Sequence, residues 1–295
     1  MNTSRRSFIK SSIVAGTGII ISPVFACKGS SANFLRDIGI CTNISNWKVL
    51  EAGGYSYVEE AVQSFLVPLE DETVFNEKLA LLKQSTLPVP ALNSFIPGKL
   101  KSVGPEPMHD EILKYAETAF RRAQIVGVKH IVFGSSGSRK VPEGFAREVA
   151  LEQFTDLCGK LAPIAEKYDV TIVLEPLNKG ECNLLNSVAD GGKIVRNVNH
   201  KNFMLLADIY HMLRENESPA SITANADLIK HVHIAENKER AAPGTYNDDF
   251  RPYFRALKEI DYKGQLSIEC NWKNMEEQAA PALQALISQI ESIQN

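Results

Sequence analysis

Cysteine is sparse in this chain: five in 295 residues, widely scattered. No CxxC pair and no Cys/His spacing of a zinc module occurs, which excludes a disulfide framework and a structural zinc site. Cys41, Cys158, Cys182 and Cys270 read as small buried hydrophobes. Excess charge of one sign is also missing, since 32 basic against 35 acidic residues leave a formal net charge of −3. There is no basic stripe interleaved with aromatics, so nucleic acid and anionic membrane surfaces are excluded as partners. No GxGxxG follows the first strand-like run, which argues against a dinucleotide-binding open sheet. Internal repeats, low-complexity segments and any composition break that would mark a second domain are absent too. What remains is 44% hydrophobic and 23% charged, ordinary for a soluble globular chain. The length suits one α/β barrel, which routinely uses about 250 residues as a single domain.

The first 26 residues read as a targeting segment. Ser4-Arg5-Arg6-Ser7-Phe8-Ile9-Lys10 resembles a twin-arginine export signal. An apolar stretch over residues 13–25 follows, broken by Gly16, Gly18 and Pro23 and free of acidic residues. It is too short and too interrupted to span a bilayer. Val24-Phe25-Ala26-Cys27 resembles a lipobox, which would make Cys27 a lipid anchor, although Phe25 is bulky for its position. The expectation is a leader over residues 1–26, a linker over 27–36 and one barrel over 37–295. Such a protein is exported, either free in the periplasm or tethered to a membrane through Cys27 alone. Loss of Arg5, Arg6 and Lys10 takes the charge from −3 to −6.

From residue 37 on, short apolar runs alternate with longer amphipathic ones. Residues 37–42, 55–59, 89–95, 130–133, 171–175, 203–208, 231–235 and 265–269 read as strands. Interiors such as Thr171-Ile172-Val173-Leu174 are continuously apolar, as in parallel strands covered on both faces. The clearest helical patterns cover 75–83, 110–126, 145–168, 187–197, 250–260 and 275–293. In the second of these, Leu113, Ala116, Ala119, Phe120 and Ala123 form one stripe. Ser187 with Asp190 resembles a capping box at the start of the fourth. Eightfold strand–helix alternation reads as a (β/α)8 TIM barrel, an α/β fold in a single domain.

Barrel chemistry gathers at the C-terminal ends of the strands, and the last four runs all end in a metal-capable side chain. They read Val173-Leu174-Glu175, Leu206-Ala207-Asp208, His231-Val232-His233 and Ser267-Ile268-Glu269. A carboxylate closing an apolar strand is costly to bury unless it is paired or metal-bound. One alone is as readily a satisfied core carboxylate as a ligand; four on consecutive strands imply convergence on one point. Three carboxylates and an imidazole suit one divalent cation with open positions, manganese first, with Mg, Co or Zn as the other fits. Alternation sends His231 and His233 to the same face. His233 lies nearer the strand end and is the expected ligand, with His231 in a supporting or packing role. Glu59 and Glu60 end the second run, where an inward and a solvated charge fit equally well. Trp47, Phe95 and Phe133 are candidate pocket walls, although aromatics in barrels more often pack the core. Arg139 and Lys140 are candidates for binding an anion, but read more readily as a surface pair.

Leu174-Glu175-Pro176-Leu177-Asn178, with Glu181 beyond it, resembles the sugar isomerase/epimerase branch of the xylose-isomerase-like barrels. That branch includes tagatose 3-epimerase-like and hydroxypyruvate-isomerase-like enzymes. Asp208 followed by His211, His231-Val232-His233 and Ser267-Ile268-Glu269 match its remaining motifs, and Val103-Gly104-Pro105-Glu106 and Phe133-Gly134-Ser135 are similar as well. The resemblance covers essentially the whole chain beyond the leader. It implies that Glu175 and Glu269 both bind the metal and act as an acid/base pair, abstracting a proton beside the carbonyl of a free ketose or keto-sugar. It further implies that Glu181 and His211 contact substrate hydroxyls. Arg240 matches an arginine found after the seventh strand, in a loop here one residue longer. A lyase or dehydratase on a keto-sugar or keto-glycoside would share the same first step. A non-catalytic sugar-binding lipoprotein would not need both glutamates. Endonuclease IV-like repair enzymes share the late motifs but require histidines at strands two and three, which this sequence lacks. The expected partner is a small sugar.

Overall fold

In the computed structural model residues 34–294 are described; the expected leader over residues 1–26, and Cys27 with it, lies outside them. Eight strands run parallel in chain order and close on themselves, with β1 paired to β8. They are β1 (Ile38–Cys41), β2 (Tyr57–Ala61), β3 (Ala91–Asn93), β4 (His130–Phe133), β5 (Thr171–Leu174), β6 (Phe203–Asp208), β7 (Ile229–Ile234) and β8 (Gln265–Ile268). The helices are α1 (Trp47–Gly53), α2 (Glu72–Leu82), α3 (His109–Val126), α4 (Ser136–Arg139), α5 (Arg147–Lys167), α6 (Val188–Val198), α7 (Ile209–Arg214), α8 (Ala220–Thr223), α9 (Arg251–Glu259) and α10 (Met275–Ser292). The single-domain TIM barrel expected from the alternation is therefore the fold. No helix among the described residues is long and apolar enough to cross a membrane.

Strand alternation divides the side chains. Ile131, Ile172 and Leu174 face outward and join the main hydrophobic core, together with Phe120 and Phe154 from α3 and α5. Val132, Val173 and Leu206 face inward and form a separate small cluster, with Met204 against it. The opposite side of the barrel interior is polar. Tyr57, Glu59, His231 and Ser267 are all buried there, joined by hydrogen bonds. Tyr57 enters because β1 carries Gly39 opposite it: a Cβ on Gly39 would lie 2.3 Å from the Tyr57 ring.

Local signals set the element ends. In α3, Ile112, Ala116, Ala119, Phe120 and Ala123 are buried as one stripe. The helix stops at Gly127 (φ 90°), whose N–H donates to the Ala123 and Gln124 carbonyls, a left-handed C-cap that favours glycine. Ser187 Oγ accepts from the Asp190 N–H at 3.0 Å and opens α6. Asp208 closes β6 and also caps α7, its Oδ1 accepting from Tyr210 N at 2.7 Å. The strand thus turns into a helix at the point where the chemistry is expected.

Two expectations need correction. The second strand runs two residues later than 55–59 and includes Glu59 and Glu60, both buried, so neither is a solvated charge. Glu60 instead accepts from the Ile44 N–H at the start of a 3-10 turn. Arg139 is fully buried, not half of a surface pair; Lys140 alone is exposed. The four described cysteines are free, with Cys158 and Cys182 buried and Cys41 and Cys270 half-buried.

Candidate functional site

Glu175, Asp208, His233 and Glu269 meet at the C-terminal mouth of the barrel, each offering one ligand atom within 4.8 Å of the others. The register explains the convergence, since Asp208 pairs with His233 and His233 with Ser267, two residues before Glu269. His233 Nδ1 is 3.2 Å from Glu175 Oε1 and 3.2 Å from Glu269 Oε2. Asp208 Oδ1 is used in capping α7, while its buried Oδ2 makes no hydrogen bond and has only His211 Nε2 at 3.5 Å and Arg240 Nη2 at 3.7 Å beside it. An orphaned buried carboxylate oxygen beside two further carboxylates calls for a positive centre. A divalent cation bound by these four side chains satisfies it, so the donor set fits such a group.

Behind the imidazole stands Glu59. Its Oε1 accepts from His233 Nε2 at 2.9 Å, and its Oε2 accepts from His231 Nε2 at 2.8 Å and from Ser267 Oγ. The Tyr57 hydroxyl joins through Ser267 at 2.8 Å. With the Nε2 proton held by Glu59, Nδ1 is the nitrogen presented to the mouth, and a carboxylate behind the ring in this way orients metal-binding histidines. His231, expected in a supporting role, supports Glu59. Burial would lower the His233 pKa, but Glu59 and Glu269 outweigh it and push it up. Burial raises the Glu175 carboxyl, with Glu269 and Asp208 adding to the rise. At Glu269 burial is outweighed by His233 and the Arg240 guanidinium, which hold the carboxyl down at about 2.

The remaining expected residues line the same mouth. Arg240 reaches Glu269 through a short Nη2 contact and Glu181 Oε1 at 3.4 Å, with its guanidinium 4.7 Å over the Tyr210 ring. His211 Nδ1 accepts from the Asn178 backbone N–H at 3.2 Å, which leaves its buried Nε2 as the donor, 3.5 Å from Asp208 Oδ2 and without a hydrogen bond. Asn178 Nδ2 also donates to Glu181 Oε1 at 2.9 Å. Glu181, His211, Arg240 and Glu269 border a cavity of about 270 Å³ whose lining includes Gln63, Asn93 and Ser135. Gly134 is required here because a Cβ would stand 2.1 Å from Glu175 Oε2. Sequence reading missed Asn93, whose Nδ2 donates to Glu269 Oε1 at 3.1 Å. It also missed Arg139, whose Nη2 donates to the Glu175 carbonyl. Phe95 and Phe133 pack edge to face in the core, 5.5 Å apart, and are not pocket walls. Trp47 opens α1, half-buried and away from the cavity lining. Gly104 lies elsewhere, exchanging two hydrogen bonds with Gln153 of α5.

The model of the xylose isomerase-like TIM barrel family matches residues 47–290. The chain belongs to that family. Among its xylose isomerase-like relatives, the L-ribulose 3-epimerase of Methylomonas sp. strain DH-1 is 32% identical over 56% of this chain and 62% of that protein. The 3-dehydro-D-guloside 4-epimerase of Escherichia coli K12 is 32% identical over 39% of this chain and 44% of that protein. The chain thus spans about half the length of the curated relatives it matches. In structure it is similar to D-psicose 3-epimerase of Clostridium cellulolyticum solved with D-tagatose. The TM-score is 0.76 at 18% identity, over 86% of this chain and 99% of that one. It is also similar to the 3-keto-D-glucoside 4-epimerase of E. coli, with a TM-score of 0.72 at 22% identity over 85% and 99% of the two chains. At such identities the structural likeness shows the fold.

Proposed function

We propose that the protein is a divalent-metal-dependent sugar isomerase or epimerase acting on a neutral ketose or keto-sugar. One observation carries the reading: Glu175, Asp208, His233 and Glu269 converge on one point around an unpartnered buried Asp208 oxygen. Epimerases and an isomerase among the relatives support the reaction class. A cation held by these four groups, manganese being the first candidate, would polarise the substrate carbonyl and acidify the adjacent C–H. Glu175 on the β5 side and Glu269 on the β8 side approach the substrate from different walls. One removes the proton and the other returns it to the opposite face or the neighbouring carbon. His211 Nε2 and Glu181 hold hydroxyls, and Arg240 fixes Glu269 and Glu181. Electrostatics favour a neutral substrate. Glu175, Glu181 and Glu269 line the cavity, while its one arginine is already engaged by two of them. Even with a divalent cation bound, Glu175, Glu181, Asp208 and Glu269 outweigh it and Arg240 by one charge, so a phosphorylated or carboxylated sugar gains no net attraction there. Export through the leader over residues 1–26, with or without a lipid anchor at Cys27, agrees with a free or glycosidic sugar met outside the cytoplasm.

The test is deuterium incorporation followed by NMR. Mg-loaded protein is given a panel of ketoses and keto-glycosides in D2O, with Glu269→Gln as control. Label beside the carbonyl, absent with the variant, is the expected result, and the labelled product separates epimerase, isomerase and lyase. Protein that holds metal yet exchanges no proton on any of them would sink the reading.

A further inference from the structure

The catalytic cavity does not end at its polar lining. A second groove, of about 430 Å³, adjoins it on the β2–β3 side, and Gln63 lines both. Along the chain after β3, Ile96 and Gly98 face the cavity while Pro97 and Lys99 face the groove. Where the two linings meet, the exposed Gln63 Nε2 donates to the Ser94 carbonyl at 2.9 Å. A bound polyol could replace that bond without leaving a buried group unsatisfied.

The groove is built by an unusual segment. After β2 the chain makes a π-helical turn, Val62–Leu66, and leaves it through Val67 at φ 42°. A β-branched residue in the left-handed region is a costly conformation, and π turns and such strain concentrate at functional sites. Here the strain is held from behind. The fully buried Arg122 donates to the carbonyls of Leu66, Val67 and Glu70. The fixed segment presents Pro68 and Leu69, the latter 55% exposed, across from Pro97. Glu70 and Lys99 at the rim carry opposite charges. A lining that mixes Val67, Pro68, Leu69, Pro97 and Tyr115 with polar groups and carries no net charge suits a neutral ring, the kind of group joined to a sugar through a glycosidic oxygen.

We infer that this groove is a subsite for the aglycone or second ring of a neutral keto-glycoside whose oxidised ring occupies the catalytic cavity. The inference rests on the proposed sugar chemistry for the identity of that first ring. Titration calorimetry on the Mg-loaded full chain tests it, with 3-dehydroglucose presented as its methyl glycoside and as its 4-nitrophenyl glycoside. The aryl glycoside should bind at least tenfold more tightly than the methyl one. Leu69→Asp, at an exposed position that leaves folding intact, should bring the two within twofold, whereas Leu69→Met should keep the difference. Equal affinities in the wild type, an aryl preference that survives Leu69→Asp, or no binding of either probe would overturn the subsite. Deuterium exchange on free ketoses, which do not reach the groove, judges the chemistry separately. Exchange without aryl preference removes only the groove; aryl preference without exchange removes only the chemistry.

Discussion

Glu59 is fully buried and accepts three hydrogen bonds, from His231, His233 and Ser267. Removing it leaves imidazole and hydroxyl donors orphaned in a dry interior, a loss of roughly 2–4 kcal/mol. It also frees His233 to rotate or change tautomer. Glu59→Ala is therefore expected to weaken Mn2+ binding about 10- to 100-fold, as followed by the EPR signal of free Mn2+. Glu59→Gln, which keeps an acceptor for His233, should lose less. Unchanged Mn2+ affinity in Glu59→Ala would show that His233 needs no such support. Gly134 acts on the opposite flank. Because an added Cβ would sit 2.1 Å from Glu175 Oε2, Gly134→Ala must displace that carboxylate. Misplacement of about 1 Å costs on the order of 100-fold, so kcat/KM should fall by about that factor. The melting temperature should stay within a few degrees of wild type, which separates displacement from unfolding.

The π turn and the Leu66–Glu70 segment depend on a long-range clamp. Arg122 of α3 is the element that holds them, through three backbone carbonyls and Glu72 of α2. Arg122→Met keeps an apolar stem in the buried site but removes every donor, together with the guanidinium 4.9 Å over the Phe75 ring, so it should cost about 3 kcal/mol. Amide exchange should quicken first across residues 62–70, while the β4–β6 side stays protected; uniform quickening would mean that the clamp is global. No sequence pattern announces such a segment, because five residues cannot show a period and the holding residue is 52 to 56 positions from the carbonyls it binds. The strands with apolar interiors were legible: β4 and β6 fall where expected, and β5 within one residue. The second strand was misplaced because Tyr55 has strand propensity yet serves the loop, its hydroxyl donating to Ala279 O at 2.7 Å. The paired Glu59-Glu60 also looked like a strand end. The four site residues were readable because each closes an apolar run, where an unsatisfied charge is expensive. Glu59 stayed ambiguous beside Glu60, since adjacent strand residues face opposite ways. Asn93 and Gln63 gave no signal, as a neutral amide costs little anywhere near water.

Charge crowding at the barrel mouth ties the site to the stability of the whole molecule. Glu59, Glu175, Asp208 and Glu269 come from β2, β6 and the ends of β5 and β8, and they face three imidazoles, His211, His231 and His233, and one guanidinium. A cation bound by the last three and His233 would link four consecutive strand ends, up to the strand that closes the barrel onto β1. Because the ligands are gathered only in the folded chain, binding stabilises by mass action, about 4 kcal/mol at a thousandfold excess over Kd. For a domain of this size that corresponds to a rise in melting temperature of roughly 10 °C. Calorimetric scans with EDTA, then with added Mn2+, should show that rise. Asp208→Asn should abolish most of it, because it removes the charge from the one oxygen left without a partner. Should the cation-free and Mn2+-treated chains melt together, the four side chains hold no metal. Arg240 and the three histidines would then be sufficient partners for the cluster.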